Sequence, residues 1–327
     1  MTYTEHYSVL KKECIDFLTE NQTSEQSEFF YADLTFGGGG HTFALFEQNE
    51  KNKLVCFDQD PDALSNGRER IKNSNAEDRI ELVDSNFRHF PTYIRENRQD
   101  ILDKGGLDGV LMDLGVSSHH FDKGERGFSF REDAPLDMRM DVDNDDIKTA
   151  ADIVNQYSLT DLVRIFRDYG EEKFSQRIAE KIVETRLQSP IRTTKELENL
   201  IFHCYPKKMR HGRINPATKC FQALRIEVNA ELDVLTELLD QVLPLLKVGG
   251  RVAVISFHSL EDRIAKVKFK AMAKGETPCE IITKKPVLPS DQEILENSRS
   301  RSAKLRVLER VESKKSKNKY AHLTNDN

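Results

Sequence analysis

The sequence lacks the features that would place it in a membrane or in a disulfide-linked, secreted fold. No uninterrupted apolar run approaches the ~18 residues that a membrane helix needs, and the first residues lack the layout of a signal peptide. The five cysteines are far apart and form no C-x-x-C pair, which argues against a disulfide framework and against a zinc site. We therefore expect a soluble protein of a reducing cytoplasm, with no membrane partner and no bound metal.

Apolar and amphipathic segments alternate in the first third of the chain. Four apolar runs bounded by turn residues are typical of buried strands: 29–35, 53–60, 80–87 and 107–115. Helix-like segments separate them, and this alternation is typical of parallel strands joined by right-handed crossovers. The expected class is therefore α/β.

The pattern changes after the fourth run, where a polar stretch leads into helical segments without strands. The run 217–250 predicts one or two long helices closed by Gly249 and Gly250, before a fifth strand at 251–258. Two late segments, 279–286 and 304–311, predict two more strands. We predict a core formed by 1–117 and 215–311, an inserted helical domain at 118–214, and a flexible basic tail at 312–327.

Four consecutive glycines, Gly37–Gly40, follow the first predicted strand. No lysine follows them as in a P-loop, and the third glycine of the dinucleotide motif is missing, since Thr42 or Phe43 takes its place. Bare backbone between a strand and a helix still suits the close approach of a ligand. Asp58 ends the second predicted strand, where an acid usually holds ribose hydroxyls. Together these features predict a site for an adenosine-containing ligand.

Asp113 ends the fourth predicted strand. A carboxylate there would face the glycine run across the cleft, which favours an S-adenosylmethionine-dependent methyltransferase acting on an amine. The other interpretation is a turn residue that caps the loop before Gly115. The residue alone leaves both interpretations open.

The formal net charge of −6 alone argues mildly against a nucleic-acid partner, but the cations are clustered. The segment 203–219 holds five Lys and Arg residues and no acid, and 299–319 holds nine against Glu309 and Glu312. Local basic patches matter more for phosphate binding than the total charge.

Eight short motifs, taken in order, identify a family. They are "DLTFGGGGHT", "DLGVSS", "ERGFSF", "PLDMRMD", "YGEEKFSQRIA", "NPATKCFQALRIEVNAEL", "ISFHSLEDR" and "SRSAKLR". From about residue 6 to residue 310 the chain closely resembles the bacterial 16S ribosomal RNA (cytosine-N4)-methyltransferases of the RsmH (MraW) type. The resemblance implies a class I S-adenosylmethionine methyltransferase fold, Rossmann-like with an antiparallel last strand and an inserted helical domain. It also implies methylation of the exocyclic amine of one cytidine in the decoding region of the small ribosomal subunit.

The same resemblance implies which residues bind S-adenosylmethionine. They are Gly38, Gly39, Gly40, His41, Asp58, Phe87, Asp113 and His120. This chain departs from the family at "GVSSHH", where proline and glutamine are usual. Because His120 replaces the glutamine, that contact would come from an imidazole whose state depends on pH. His41 could touch the methionine carboxylate, and its other possible role is helix capping.

We predict that a second group of residues contributes to catalysis and RNA binding. Asp113, with the backbone carbonyl of Leu114, could accept hydrogen bonds from the cytosine amine; its competing role is to hold the cofactor. We assign substrate contacts to Ser117, Arg126, Phe128, His258 and Arg301. Aromatic and guanidinium groups pack on unstacked RNA bases, although Phe128 and Phe130 could equally anchor the core of the insertion.

Other interpretations of single motifs are weaker. Asp141, Asp143 and Asp145 have calcium-loop spacing, but Asp146 stands where that loop needs glycine and Asp152 where it needs glutamate, so we expect a solvated turn. Ser259 with Asp262 could simply cap the helix that follows.

Three functions remain open at this point. The first is 16S ribosomal RNA methylation, with no obligatory protein partner. The second is methylation of an amine in another nucleic acid. The third is a non-catalytic role in ribosome assembly.

Overall fold

The computed structural model describes residues 8–23, 28–116, 124–212 and 214–313. Seven strands in these ranges form one sheet: β1 (Phe29–Asp33), β2 (Asn52–Asp58), β3 (Ile80–Asp84), β4 (Leu107–Asp113), β5 (Leu246–Ser256), β6 (Cys279–Ile281) and β7 (Lys304–Arg310). Their order is β3-β2-β1-β4-β5-β7-β6. The first five are parallel, and β7 lies antiparallel between β5 and β6. This topology confirms the predicted class I methyltransferase fold.

The described ranges contain thirteen α-helices: α1 (Lys11–Thr19), α2 (Gly40–Gln48), α3 (Pro61–Asn73), α4 (Phe90–Asn97), α5 (Gln99–Asp103), α6 (Ala150–Gln156), α7 (Leu159–Asp168), α8 (Ser175–Arg186), α9 (Thr194–Cys204), α10 (Thr218–Asn229), α11 (Glu231–Gln241), α12 (Ser259–Met272) and α13 (Asp291–Glu296). None of these helices has the length and apolar character required to cross a bilayer.

The sheet is covered on both faces, as β1 shows. Phe30 and Ala32 belong to one hydrophobic cluster, while Phe29 and Tyr31 belong to another. Successive side chains of a strand point to opposite faces, so both faces of β1 are buried. This explains why the parallel strands appear in the sequence as continuous apolar runs.

A third hydrophobic cluster lies in the helical region between β4 and β5. It extends from Phe128 to Val228 and includes side chains from α6 to α10. The cluster therefore continues past residue 214 into α10, which packs against α6 and α7. Helix α10 thus connects the helical region to the sheet region, because α11 follows it directly and packs on the sheet.

Two local features differ from the sequence prediction. The segment expected to form one helix after β3 is divided into α4 and α5. Gly249 and Gly250 do not end a helix but lie inside β5, where the pairing with β4 shifts. Gly249 has a φ of +85°, and a Cβ on Gly250 would lie 2.4 Å from the carbonyl oxygen of Leu107. Glycine is needed there for a bulge that brings the two backbones together.

Candidate active site

The carboxyl ends of β1, β2 and β4 meet at one edge of the sheet and open into a cavity of about 580 Å³. One side of the cavity is formed by the residues that follow these strands, including Gly37, Gly38 and Gly40. The other side is formed by the helical region and by the segment that follows β5. Ligands of open parallel sheets bind at this edge, so the cavity is the candidate active site.

The glycine run forms the turn between β1 and α2. Gly37 and Gly39 have positive φ values of 50° and 74°, and a Cβ on Gly39 would lie 2.7 Å from the ring of Phe36. The carbonyl oxygen of Gly38 accepts a hydrogen bond from Arg70 at 2.7 Å. Gly39 is the N-cap of α2, so the capping role considered for His41 is wrong.

Asp58 ties the glycine run to the end of β2. Its Oδ2 accepts a hydrogen bond from the backbone N–H of Gly37 at 2.7 Å, and its Oδ1 accepts one from Asp60 at 2.9 Å. Burial raises the pKa of Asp58 to about 6, although both hydrogen bonds oppose the shift. The carboxylate therefore titrates near neutral pH while it faces the cavity.

His41 and Asp113 form a pair with unsatisfied polar atoms on the cavity wall. His41 Nε2 lies 3.4 Å from Asp113 Oδ2, and His41 is only 5% exposed. Among the described residues, neither ring nitrogen of His41 nor Asp113 Oδ1 has a hydrogen-bond partner. Buried polar atoms without partners are rare in native proteins, so these atoms indicate a place for a polar ligand.

A second layer holds this pair in place. The backbone N–H of Asp113 donates to Thr35 Oγ1 at 2.7 Å, and the backbone N–H of Thr35 donates to Asp33 Oδ1 at 3.1 Å. Asp33 also accepts a hydrogen bond from Thr42 at 2.6 Å. Burial raises the pKa of Asp33, and the nearby His41 opposes the shift. These bonds fix the end of β4 relative to β1, where Asp113 lines the cavity.

The opposite side of the cavity is aromatic. Phe128, Phe130, Phe221 and Phe257 all line it. The rings of Phe130 and Phe221 meet edge to face, with centroids 4.9 Å apart. Phe128 is 5% exposed and also belongs to the cluster of the helical region. Phe128 therefore does anchor the core of the helical region, and its contact with substrate stays a prediction.

The guanidinium of Arg126 is hydrogen-bonded to other groups of the protein. Its guanidinium donates to Asp60 Oδ1 at 2.9 Å and to the backbone carbonyls of Arg139 and Met140. The side chains of Arg126 and Asp60 are 16% and 4% exposed. The guanidinium therefore fastens the "ERGFSF" loop to the end of β2, two residues beyond Asp58.

We expect Arg126→Met to destabilise the protein by about 3 kcal/mol, because it leaves a buried carboxylate without its guanidinium. Urea unfolding measures this loss. Arg131→Met is the matched control, since Arg131 is exposed on the same loop and lines the cavity mouth; its unfolding free energy should change by less than about 0.5 kcal/mol. Equal stabilities of the two variants would contradict the role given to Arg126.

His258 and Glu261 form the N-terminal cap of α12. Glu261 Oε2 accepts hydrogen bonds from the backbone N–H groups of Phe257 and His258, at 2.8 and 3.2 Å. Glu261 Oε1 lies 3.1 Å from His258 Nε2. The predicted cap by Ser259 with Asp262 is wrong: Ser259 donates to Glu171, and Asp262 pairs with Arg306. The N-cap is His258, one residue earlier than predicted, and its ring therefore lies next to Glu261.

A largely buried arginine, Arg225, completes this network. Arg225 donates to both oxygens of Glu231, at 2.8 and 2.9 Å. Burial opposes ionisation of Glu261, but the hydrogen bond from His258 and the charge of Arg225 hold the pKa of Glu261 below its usual value. Ligand atoms of Glu231, His258 and Glu261 lie within 4.8 Å of one another. Because Arg225 already engages both Glu231 oxygens, we interpret the group as an ion-pair network rather than a metal site.

We expect Glu261→Gln to lower the free energy of unfolding by about 2 kcal/mol at pH 7, because an amide cannot accept all the hydrogen bonds that the carboxylate accepts. The pKa of Glu261 is depressed in the folded state, so its stabilisation is present above the unfolded pKa near 4.5 and lost as pH falls through the folded pKa. Urea unfolding between pH 3 and pH 7 measures this difference.

The exposed Glu276→Gln is the control for this experiment and should behave like the wild type throughout. A difference between Glu261→Gln and the wild type that persists unchanged down to pH 3 would contradict the proposed role of the Glu261 charge.

The remaining predicted site residues differ in whether they line the cavity. Phe87 lines the cavity at the start of a 3₁₀ turn capped by Asn86. Arg301 is exposed and does not line the cavity, whereas Arg299 of the same motif does. Ser117 and His120 lie outside the described residues. Asp152 forms a capping box with Thr149 at the start of α6.

Comparison with known proteins identifies the family. The model of the MraW methylase family matches residues 3–311. A ribosomal RNA small subunit methyltransferase H of Sulfurihydrogenibium sp. (strain YO3AOP1) is 47% identical over 309 residues, which cover 94% of this chain and 99% of that protein. The protein of the same name from Clostridioides difficile (strain 630) is 44% identical over 324 residues, with the same coverage.

These matches confirm the resemblance seen in the motifs and the expected cofactor, S-adenosylmethionine. They extend over both the sheet region and the helical region of this chain. The chain therefore belongs to the MraW methylase family.

Proposed function

We propose that this protein transfers the methyl group of S-adenosylmethionine to the exocyclic N4 of one cytidine in the decoding region of 16S ribosomal RNA, in the small ribosomal subunit. Relatives that cover 94% of this chain are named ribosomal RNA small subunit methyltransferase H. The observation that carries the proposal is the Asp113 carboxylate, which has one buried oxygen without a hydrogen-bond partner and lines a cavity shared by the glycine run and by the aromatic side formed by Phe128, Phe130, Phe221 and Phe257.

The residues on the sheet side of the cavity fit the cofactor. In this proposal, Asp58 accepts hydrogen bonds from two ribose hydroxyls, beside the glycine run to which it is hydrogen-bonded. His41 has two unsatisfied ring nitrogens for the polar methionine end. Phe87 offers an aromatic contact at the end of β3. When bound, S-adenosylmethionine supplies a methyl group that its sulfonium already activates, so the protein mainly positions the reacting groups.

In this proposal, Asp113 prepares the amine for attack. The N4 lone pair of cytosine is delocalised into the ring, which makes the amine a weak nucleophile. Hydrogen bonds accepted by the Asp113 carboxylate and by the carbonyl of Leu114 would localise that lone pair and stabilise the positive charge that develops on N4. Asp113 also offers a place for the proton that N4 loses.

The aromatic side of the cavity is suited to hold a base that has been flipped out of the RNA. A cytidine inside folded RNA must be extruded to reach a methyl donor buried at the sheet edge. Phe130 and Phe257 offer ring faces or edges on the side opposite the glycine run. His258, held by Glu261, stands at the end of β5 next to this side of the cavity.

Mass spectrometry of small-subunit RNA from a deletion strain tests the proposal. We expect one N4-methylcytidine to disappear from the decoding region and to return when the gene is restored. Purified protein with labelled cofactor should methylate small subunits from the deletion strain. An unchanged 16S RNA together with labelling of another nucleic acid would favour the second function, and cofactor binding without any turnover would favour the third.

A further inference from the structure

The end of helix α9 carries a basic surface that the cavity does not use. Between 203 and 219 the chain has no acidic residue. Lys207 and Lys208 form an exposed 3₁₀ turn directly after α9. Exposed lysines on a short turn keep their charges in solvent, where they attract anions without a desolvation cost.

An aromatic ring lies at the centre of this surface. The ring centroid of the half-buried Phe202 lies 5.5 Å from each of the imidazole centroids of His203 and His211. The guanidinium of Arg210 lies 5.5 Å from the same ring. Arg210 is fixed by hydrogen bonds to the backbone carbonyls of Tyr205 and His203, at 2.9 and 3.1 Å. The cluster therefore combines flat side chains with positive charge.

The neighbouring helix α8 adds cations to the same surface. Burial raises the pKa of the Cys204 thiol on α9, and the charges of Arg177, Lys181 and Arg210 all oppose that shift. Three cations from two separate segments therefore lie near one point. Lys181 is paired with Glu184 at 2.9 Å, but Arg177 is exposed and adds its charge to those of the turn.

We propose that this surface, defined by Arg177, Phe202, Lys207, Lys208 and Arg210, is a second RNA-binding surface that holds ribosomal RNA away from the target nucleotide. The cations would contact phosphates and the Phe202 cluster would stack on an unpaired base. None of these five residues lines the cavity. The surface therefore acts on affinity for the RNA and not on chemistry. This inference rests on the proposed ribosomal RNA substrate.

The test is the triple variant Arg177→Gln/Lys207→Gln/Lys208→Gln. Its binding to purified 16S ribosomal RNA is measured between 50 and 200 mM KCl, and its methylation kinetics on small subunits are measured as well. We expect the slope of log K against log salt concentration to fall by about 2, since each lost phosphate contact removes roughly 0.7 to 0.9. KM for subunits should rise about tenfold at 150 mM salt, with kcat and cofactor affinity unchanged. Phe202→Ala should raise KM without changing the salt slope.

The control variant is Lys72→Gln/Lys266→Gln/Lys270→Gln, which removes the same charge from exposed positions on α3 and α12. It should keep the wild-type slope and KM. The proposal is overturned if the triple variant keeps the wild-type salt slope, or if the control loses as much affinity. A wild-type protein that binds cofactor but methylates no small subunit would instead overturn the proposed function.

Discussion

Replacing Asp113 with alanine is expected to reduce the rate of methyl transfer by about 10³-fold in a single-turnover assay with labelled cofactor. The variant loses the acceptor that localises the amine lone pair and the group that stabilises the developing charge, and such contributions are typically worth 10² to 10⁴. The surroundings of Asp113 should persist, because Thr35 contacts the backbone N–H of residue 113 and not its carboxylate.

Asp113→Asn separates the two ways in which the carboxylate could act. An asparagine oxygen still accepts a hydrogen bond from the amine but carries no charge and takes no proton. A rate between those of the wild type and the alanine variant would assign part of the effect to lone-pair localisation. Asp84→Asn is the matched control, since Asp84 ends β3 at the same sheet edge and is exposed. It should keep the wild-type rate.

Calorimetry with the demethylated cofactor decides between the competing roles of Asp113. If the residue acts on the amine, Asp113→Ala binds that product with an affinity within a few-fold of the wild type. A loss of product affinity as large as the loss of rate would show that Asp113 mainly holds the cofactor, and it would contradict the catalytic role.

Much of the sheet could be predicted from the sequence because its strands are buried on both faces. The runs around Phe30, Val55 and Val110 are continuous and apolar, and turn residues bound them. Strand β5 begins earlier than predicted, because Gly249 and Gly250, which usually stop an element, here allow a bulge against β4. A pattern of residue types does not distinguish these two uses of glycine.

The position of three cavity-lining residues could be predicted for a similar reason. Gly38 follows β1, and Asp58 and Asp113 end the adjacent parallel strands β2 and β4, so all three lie at the edge where the carboxyl ends meet. The partner of His258 also had a local signal: Glu261 follows it by three residues, which is the spacing of a capping box.

Other contacts had no such signal. Asp60 and Arg126 are 66 residues apart, and no local pattern links them. Arg299 and Arg301 differ in exposure because they lie two residues apart on a 3₁₀ helix, where side chains repeat every three residues. Motif resemblance alone therefore indicated a segment that lines the cavity without identifying which of its arginines does so.

The second large effect concerns Asp58, and its expected consequence is a pH-dependent affinity for the cofactor. Burial raises the pKa of Asp58 to about 6, so below that pH the free protein carries a protonated carboxyl. Two ribose hydroxyls need the carboxylate as acceptor, and a proton must therefore be displaced before the cofactor binds. We expect the affinity measured by calorimetry to be constant above about pH 7 and to fall roughly tenfold per pH unit below pH 6.

Two variants isolate this carboxyl from the other acids of the cavity. Asp58→Ala should weaken cofactor binding at pH 7.5 by about 100-fold, since two charge-assisted hydrogen bonds of about 1.5 kcal/mol each are lost. Asp58→Asn keeps one acceptor but cannot titrate, so its weaker affinity should stay constant between pH 5 and pH 7. If Asp58→Asn instead shows the wild-type slope, the titrating group is another acid, such as the buried Asp33, whose pKa burial also raises. In that case Asp58 would serve mainly to hold the N–H of Gly37 and the shape of the glycine turn.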